Sequence, residues 1–182
     1  MIVTETALPG VYTLEIEPHA DERGFFARTW DGELLAAAGL DARASQQSVA
    51  FNHRAGTLRG LHFQRPPHAE TKLVRCIRGG LHDIILDLRN GSPTFGRSFG
   101  ADLTAENRRM MYVPKGFAHG FITIEPNTEA FYFVDEFYAP EQERGVRWND
   151  PKFKIAWPLD AAVLSDKDKN QRDFDPAWHL PG

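Results

Sequence analysis

The chain has 182 residues, a formal charge of −4 and an isoelectric point near 6.0. That balance excludes binding of polymeric nucleic acid by broad phosphate neutralisation, yet leaves room for a local arginine cluster on a nucleotide-sized anion. A 42% hydrophobic and 25% charged content, with thirteen Phe, reads as one β-rich globular domain over residues 1–182. The lone Cys76 and the absence of any signal-like or membrane-length apolar run fit a soluble cytoplasmic protein with no membrane partner.

In chain order, an apolar-rich or alternating run at Gly10–Ile16 is followed by the one clear helix, Asp31–Ala38, which carries Leu34, Leu35 and alanines and is stopped by Gly39. Further strand-like runs follow at Leu58–Phe63, Lys72–Ile77, Leu81–Leu88, Met110–Val113, Gly120–Ile124 and Glu129–Val134. Arg-Pro-Pro, Arg-Gly-Gly, Asn-Gly-Ser-Pro and Glu-Pro-Asn separate them. Short strands with almost no helix between them predict an all-β antiparallel sandwich or barrel, not βαβ units. The tail from Ser165 is polar and charged before Phe174, Trp178 and Leu180, and by composition reads as a solvated terminal segment.

Chemistry concentrates in Gly56-Thr57-Leu58-Arg59-Gly60-Leu61-His62-Phe63-Gln64 and in Glu70-Thr71-Lys72, where a cation, an imidazole and an amine interrupt strand-like sequence. Such groups are costly in a strand core unless something uses them. Strict alternation sets His62, Gln64 and Gly60 on one face and Arg59 and Leu61 on the other, so Arg59 and His62 share a pocket only if the backbone bends near Gly60. The spacing Gly56-x5-His62-x-Gln64, with Glu70 and Gly79 beyond, resembles the first motif of the cupin barrels, and Pro114-x-Gly116-x2-His119 the core of their second. Metal-binding cupins have a second His where this chain has Gln64, an unusual ligand for zinc or iron. His62, Glu70 and His119 remain as a possible two-His, one-carboxylate set. The alternatives are a structural His62 or one that moves protons, and the expectation is no metal and no cofactor.

Longer motifs extend the likeness almost end to end. They are Asp21-Glu22-Arg23-Gly24-Phe25-Phe26, Gly-Thr-Leu-Arg-Gly-Leu-His-Phe-Gln, Lys72-Leu73-Val74-Arg75-Cys76 and Ser92-Pro93-Thr94-Phe95-Gly96. Tyr112-Val113-Pro114-x-Gly116-Phe117-Ala118-His119-Gly120-Phe121, Trp148-Asn149-Asp150-Pro151 and Leu164-Ser165-x-Lys167-Asp168 complete the series. In this order they resemble the dTDP-4-dehydrorhamnose 3,5-epimerase family. The resemblance implies a cupin-type antiparallel jelly-roll barrel with a short helix near the N-terminus and a C-terminal tail. It implies a homodimer in which N-terminal strands cross between subunits, and a nucleoside-diphosphate 4-keto sugar as substrate.

The same resemblance implies roles. His62 is the base and Asp168 its orienter, with Asp166 as competitor for that place. Lys72 donates to the O4 enolate, and Tyr132 delivers a proton to the opposite face unless it is only a core aromatic. Tyr138 lines the pocket, Arg59 and Arg23 meet the diphosphate, and His119 sits near the sugar. Phe26, Arg28 and Gln47 fall where the nucleobase is expected. Many relatives carry Glu at the position of Arg28, and Gln46-Gln47-Ser48 departs from the usual Gln-x-Asn-x-Ser with a register ambiguous by one residue, which leaves cytidine or guanosine carriers open beside dTDP. A single-centre epimerase, a 3,4-ketoisomerase, a metal-dependent oxygenase and a non-catalytic sugar-nucleotide binder are the rival expectations.

Overall fold

Period-two alternation divides most strands of this chain into an inward and an outward set of side chains, and the fold is the packing of the inward sets. The computed structural model describes residues 1–41 and 43–180. In order, the elements are β1 (Ile2–Glu5), β2 (Tyr12–Glu15), β3 (His19–Asp21), β4 (Gly24–Phe26), α1 (Gly32–Ala37), β5 (Gln46–Asn52), β6 (Leu58–Gln64) and β7 (Lys72–Arg78). Then come β8 (Gly80–Asp87), β9 (Ser98–Thr104), β10 (Met110–Val113), β11 (Phe117–Thr123), β12 (Thr128–Val134), β13 (Glu143–Gly145), α2 (Asp166–Lys169) and α3 (Pro176–His179).

One sheet runs β1-β2-β10-β7-β12-β5, a second runs β13-β6-β11-β8-β9, and β3 and β4 form a separate hairpin. Every strand pairing among the named elements is antiparallel, which makes the fold the expected all-β jelly roll. Between the sheets lie Val74, Cys76 and Ala130 from one side and Leu81, Ile85, Phe117 and Phe121 from the other. Cys76 is a buried apolar filler of this layer. Among the described residues no helix is long and apolar enough to cross a membrane.

Two smaller clusters close the outer faces. Leu35 of α1, with Leu40, covers Leu14, Leu73, Met110 and Tyr112. The helix begins where Asp31 accepts the Leu34 N–H at 3.1 Å, and Gly39 follows it at φ +75°. On the opposite sheet, Leu61, Ile84, Leu86 and Val146 are covered by Phe153, Trp157 and Phe174 of the C-terminal segment. The tail is therefore docked and carries two short helices, which its composition did not announce.

The strands that alternation did not predict have physical reasons. In β5 the inward residues Ser48 and Ala50 are small, while the outward Val49 and Phe51 are 56% and 37% exposed, so apolarity marks the wrong face. In β9, Gly100 sits under His82, where an added Cβ would lie 2.5 Å from Nε2, so a strand position is spent on close approach.

Candidate active site

Neighbouring strands β6 and β11 bring the sequence motifs together. His119 lies opposite His62, but Phe121 lies opposite Arg59, so β6 carries one residue more than β11 across this stretch. The extra residue is accommodated at Gly60, with φ +126°, and a Cβ there would meet Gly120 Cα at 2.6 Å and the His119 carbonyl at 3.0 Å. The bulge resets the alternation. Arg59 and His62 consequently line the same cavity of about 270 Å³, together with Lys72, His119, Tyr132, Lys167 and Asp168.

His62 Nε2 stands 2.6 Å from Asp168 Oδ1. Asp168 is 3% exposed, and α2 holds it from its N-terminus. Ser165 caps that helix, accepting the Asp168 N–H at 3.1 Å and donating its hydroxyl to Asp168 Oδ2 at 2.9 Å. Burial pushes the Asp168 carboxyl up, but the hydrogen bonds from His62 and Ser165 outweigh it and hold the group below the usual carboxylate range. A carboxylate here accepts a hydrogen bond from Nε2–H and leaves Nδ1 as the nitrogen available to a ligand. Asp166 points elsewhere, 3.4 Å from Lys169 Nζ.

His119, which also lines the cavity, belongs to a second His–Asp pair. His119 Nε2 lies 2.7 Å from Asp83 Oδ1, and both residues are buried. Lys72, at the start of β7, keeps its ammonium 2.7 Å from Glu70. Gln64 is spent on structure: its amide donates to the His68 and Phe137 carbonyls and to Glu70, and its oxygen accepts the Ala139 N–H at 2.6 Å. The candidate metal ligands are thus separately engaged, His62 with Asp168, Glu70 with Lys72 and His119 with Asp83. Among the described residues no group of three or more His, Cys, Asp or Glu is placed to hold a metal ion.

Tyr132 faces inward from β12, opposite Ser48 of β5. It separates this cavity from an adjoining one of about 310 Å³ that shares His62, Lys72 and Tyr132 and extends to Gln46, Ser48, Tyr138 and Glu143. Tyr138 stands at the rim, its hydroxyl donating to Glu143 at 2.7 Å, and that carboxylate pushes the phenol up. Arg59 is aimed by Asn52, whose amide oxygen accepts its Nε–H at 2.7 Å.

Four expected residues are not at the cavity of their own chain. Gln47 is one: β5 alternation turns Gln46, Ser48 and Ala50 inward and Gln47 out beside Phe133. Arg23, Phe26 and Arg28 are the others. The hairpin β3–β4 pairs only with itself and stands in solvent, with the Arg23 side chain 84% exposed and held by Asp21. Phe26 is 70% exposed, and Arg28 pairs with Asp31 at 3.2 Å. In the other direction, sequence reasoning passed over Lys167, Asp83, Glu143 and Asn52. Asp83 was detectable as a charged residue at an inward position of the run Leu81-His82-Asp83-Ile84-Ile85, and Lys167 lies inside the Leu-Ser-x-Lys-Asp motif.

The chain is similar to known proteins along most of its length. The family model described as dTDP-4-dehydrorhamnose 3,5-epimerase matches residues 5–175. The chain belongs to that family. A dTDP-4-dehydrorhamnose 3,5-epimerase of Pseudomonas aeruginosa is 42% identical over 182 residues, covering 100% of both chains. Among solved structures, the epimerase of Bacillus anthracis, with TDP and PPi bound, superposes with a TM-score of 0.92 at 42% identity, over 95% of this chain and 99% of that one. The Legionella pneumophila epimerase in complex with dTDP-4-keto-L-rhamnose gives 0.91 at 34% identity, over 99% and 97%. The fold shared with these epimerases is the cupin-type jelly roll.

Proposed function

We propose that this protein is an isomerase that epimerises dTDP-4-dehydro-6-deoxyglucose at C3 and C5 to dTDP-4-dehydrorhamnose. The observation that carries the reading is the 2.6 Å pair of His62 and a buried Asp168, in one cavity with Lys72 and Tyr132. Hydrogens at C3 and C5 are both α to the C4 ketone. His62 Nδ1 takes one, and the C–H electron pair becomes the enolate, with its charge on O4. Lys72, aimed by Glu70, donates to O4 where that charge develops. Asp168 fixes the His62 tautomer and supports the imidazolium. Tyr132 returns a proton to the opposite face, which inverts the centre; His62 then gives its proton to solvent water and Tyr132 takes one back from it, so the cycle can repeat at the second carbon. No electron leaves the substrate, so the chemistry needs no redox cofactor.

Arg59 and Lys167 supply the cations for the diphosphate. Arg23 and Phe26 act from a second subunit: the exposed hairpin of one protomer reaches the other's cavity, and the apolar outer strip of Val49, Phe51 and Ile77 is the face that pairs the protomers. A working homodimer in the reducing cytoplasm agrees with the unpaired Cys76.

The test is turnover in D₂O followed by NMR with dTDP-, CDP- and GDP-linked 4-keto-6-deoxyglucose. Deuterium at C3 and C5 of the dTDP sugar is expected. Label at one carbon would reduce the protein to a single-centre epimerase, and no label with any carrier would end the epimerase reading. Tyr132→Phe is expected to wash deuterium into the substrate while losing inversion.

A further inference from the structure

The tail that carries Asp168 is held on both sides of it. Upstream, Val163 donates its N–H to the Gly56 carbonyl at 3.1 Å and accepts the Leu58 N–H at 2.9 Å. Downstream, the hold turns on His179, which is 0% exposed. Its Nε2 lies 3.1 Å from the Gly145 carbonyl, and its Nδ1 lies 3.0 Å from the Asp175 amide nitrogen and 2.9 Å from the Asp175 carbonyl. A carbonyl can only accept, so Nε2 carries a proton. Phe174 stacks on the ring at 5.2 Å with its plane tilted by 24°.

Gly145 connects this histidine to the site. It is the Cα partner of His62 in the β13–β6 pairing, and Glu143 of the same strand takes Lys167 Nζ from α2. One strand of three residues therefore contacts the strand of His62 on one side and both helices of the tail on the other. A Cβ on Gly145 would run into the Gln171 amide, the far end of a flexible side chain that would have to swing aside.

We propose that His179 is a positioning residue for the His62–Asp168 pair: its Nε2–H bond to Gly145 sets how far the tail closes and hence where Asp168 meets His62. The inference rests on the proposed role of that pair. A hydrogen bond of this kind is short-ranged and directional, and displacements near 1 Å at a reacting pair can cost about a hundredfold in rate. The two ring nitrogens can be mimicked separately, because a Gln amide reaches the place of Nε2 and an Asn amide only that of Nδ1.

The test is a mutant cycle on kcat, with substrate KM and the melting midpoint measured alongside. His179→Asn is expected to lower kcat about tenfold with KM within about twofold, and His179→Gln to restore kcat to within about twofold of the parent, since one lost buried hydrogen bond corresponds to roughly that factor. In an Asp168→Asn background, His179→Asn is expected to cost nothing further, because the carboxylate it positions is gone. The inference is overturned by an undiminished kcat in His179→Asn, by a His179→Gln variant as impaired as His179→Asn, or by the same tenfold loss in both backgrounds. Should His179→Asn not fold, Phe174→Leu takes its place in the cycle, with about threefold loss expected in the parent and none beside Asp168→Asn; any other pattern overturns the inference. If Asp168→Asn alone retains full kcat, the functional role of the pair has failed, and this inference with it.

Discussion

His62 and Asp168, 106 residues apart in sequence, meet at 2.6 Å, and the carboxylate is the buried member of the pair. The nearer sequence alternative, Asp166, is exposed and turned to Lys169. Asp168→Asn is therefore expected to lower kcat by about 10²–10⁴, the range for losing a positioned proton-transfer partner or its orienter, while dTDP affinity holds within a few-fold. Asp166→Asn is expected to stay within about twofold of the parent. Steady-state kinetics with calorimetric dTDP binding checks both, and a severe Asp166 defect would mean the pair has been misassigned.

An antiparallel sandwich or barrel was legible from turn spacing and from strands whose inward residues are apolar, such as Leu81 and Ile85 in β8, and the jelly roll came from the family resemblance. Strands were missed where apolarity lies on the outer face, as with Val49 and Phe51 of β5. Composition did not report that the tail is docked, because Asp168 is surrounded by charge and the partners of Phe174 and His179 lie far away in sequence. The common pocket of Arg59 and His62 required a bend that Gly60 suggested, but its register against β11 is a tertiary fact. Gln47 faces away from the cavity of its own chain while Gln46 faces in, because a period of two gives opposite answers for adjacent residues.

Arg23 and Phe26 stand in solvent, away from the cavity of their own chain. If the hairpin acts across a dimer, two different inactive variants should repair one another. Mixing His62→Ala with Arg23→Ala, after co-expression, produces heterodimers in which one cavity has both its own His62 and the partner's intact hairpin. Activity at about a quarter of the parent is expected, because half the dimers are mixed and each has one working cavity of two. No recovery from a purified heterodimer would show that Arg23 acts within its own chain or not at all, and sedimentation velocity reports the dimer itself.

Gly60 and Gly120 touch across β6 and β11, and a Cβ on Gly60 would lie 2.6 Å from Gly120 Cα at a backbone angle of φ +126°. Gly60→Ala is expected to cost about 2–4 kcal/mol, combining left-handed strain with overpacking against backbone. The same displacement separates Arg59 from His62, so kcat should fall even at temperatures where the variant is fully folded. Thermal denaturation and kinetics at 15 °C check the two effects. A variant with a parental melting midpoint would show that the bulge relaxes freely.

Asp87 ends β8 fully buried, and its carboxylate accepts from Arg89 Nη2 at 2.7 Å, Ser92 Oγ at 2.7 Å and Thr94 Oγ1 at 2.6 Å. The Ser92-Pro93-Thr94-Phe95-Gly96 motif thus acts as a set of donors for one carboxylate. Burial pushes the group up, yet Arg89 and the two hydroxyls overcome it and hold the carboxyl at about 2, against 3.8 in the unfolded chain. A depressed folded value means that the native state binds fewer protons than the unfolded chain between the two values. Its stabilisation is complete above about pH 4 and is lost as the pH falls from there towards 2. The difference corresponds to about 2–3 kcal/mol at neutral pH. Asp87→Asn is expected to lower the melting midpoint by about 5–10 °C at pH 7, and the gap from the parent should narrow steadily between pH 4 and pH 2. Differential scanning calorimetry across that range checks it. A gap that stays constant with pH would mean that the loss comes from packing, with the Asp87 charge contributing nothing to stability.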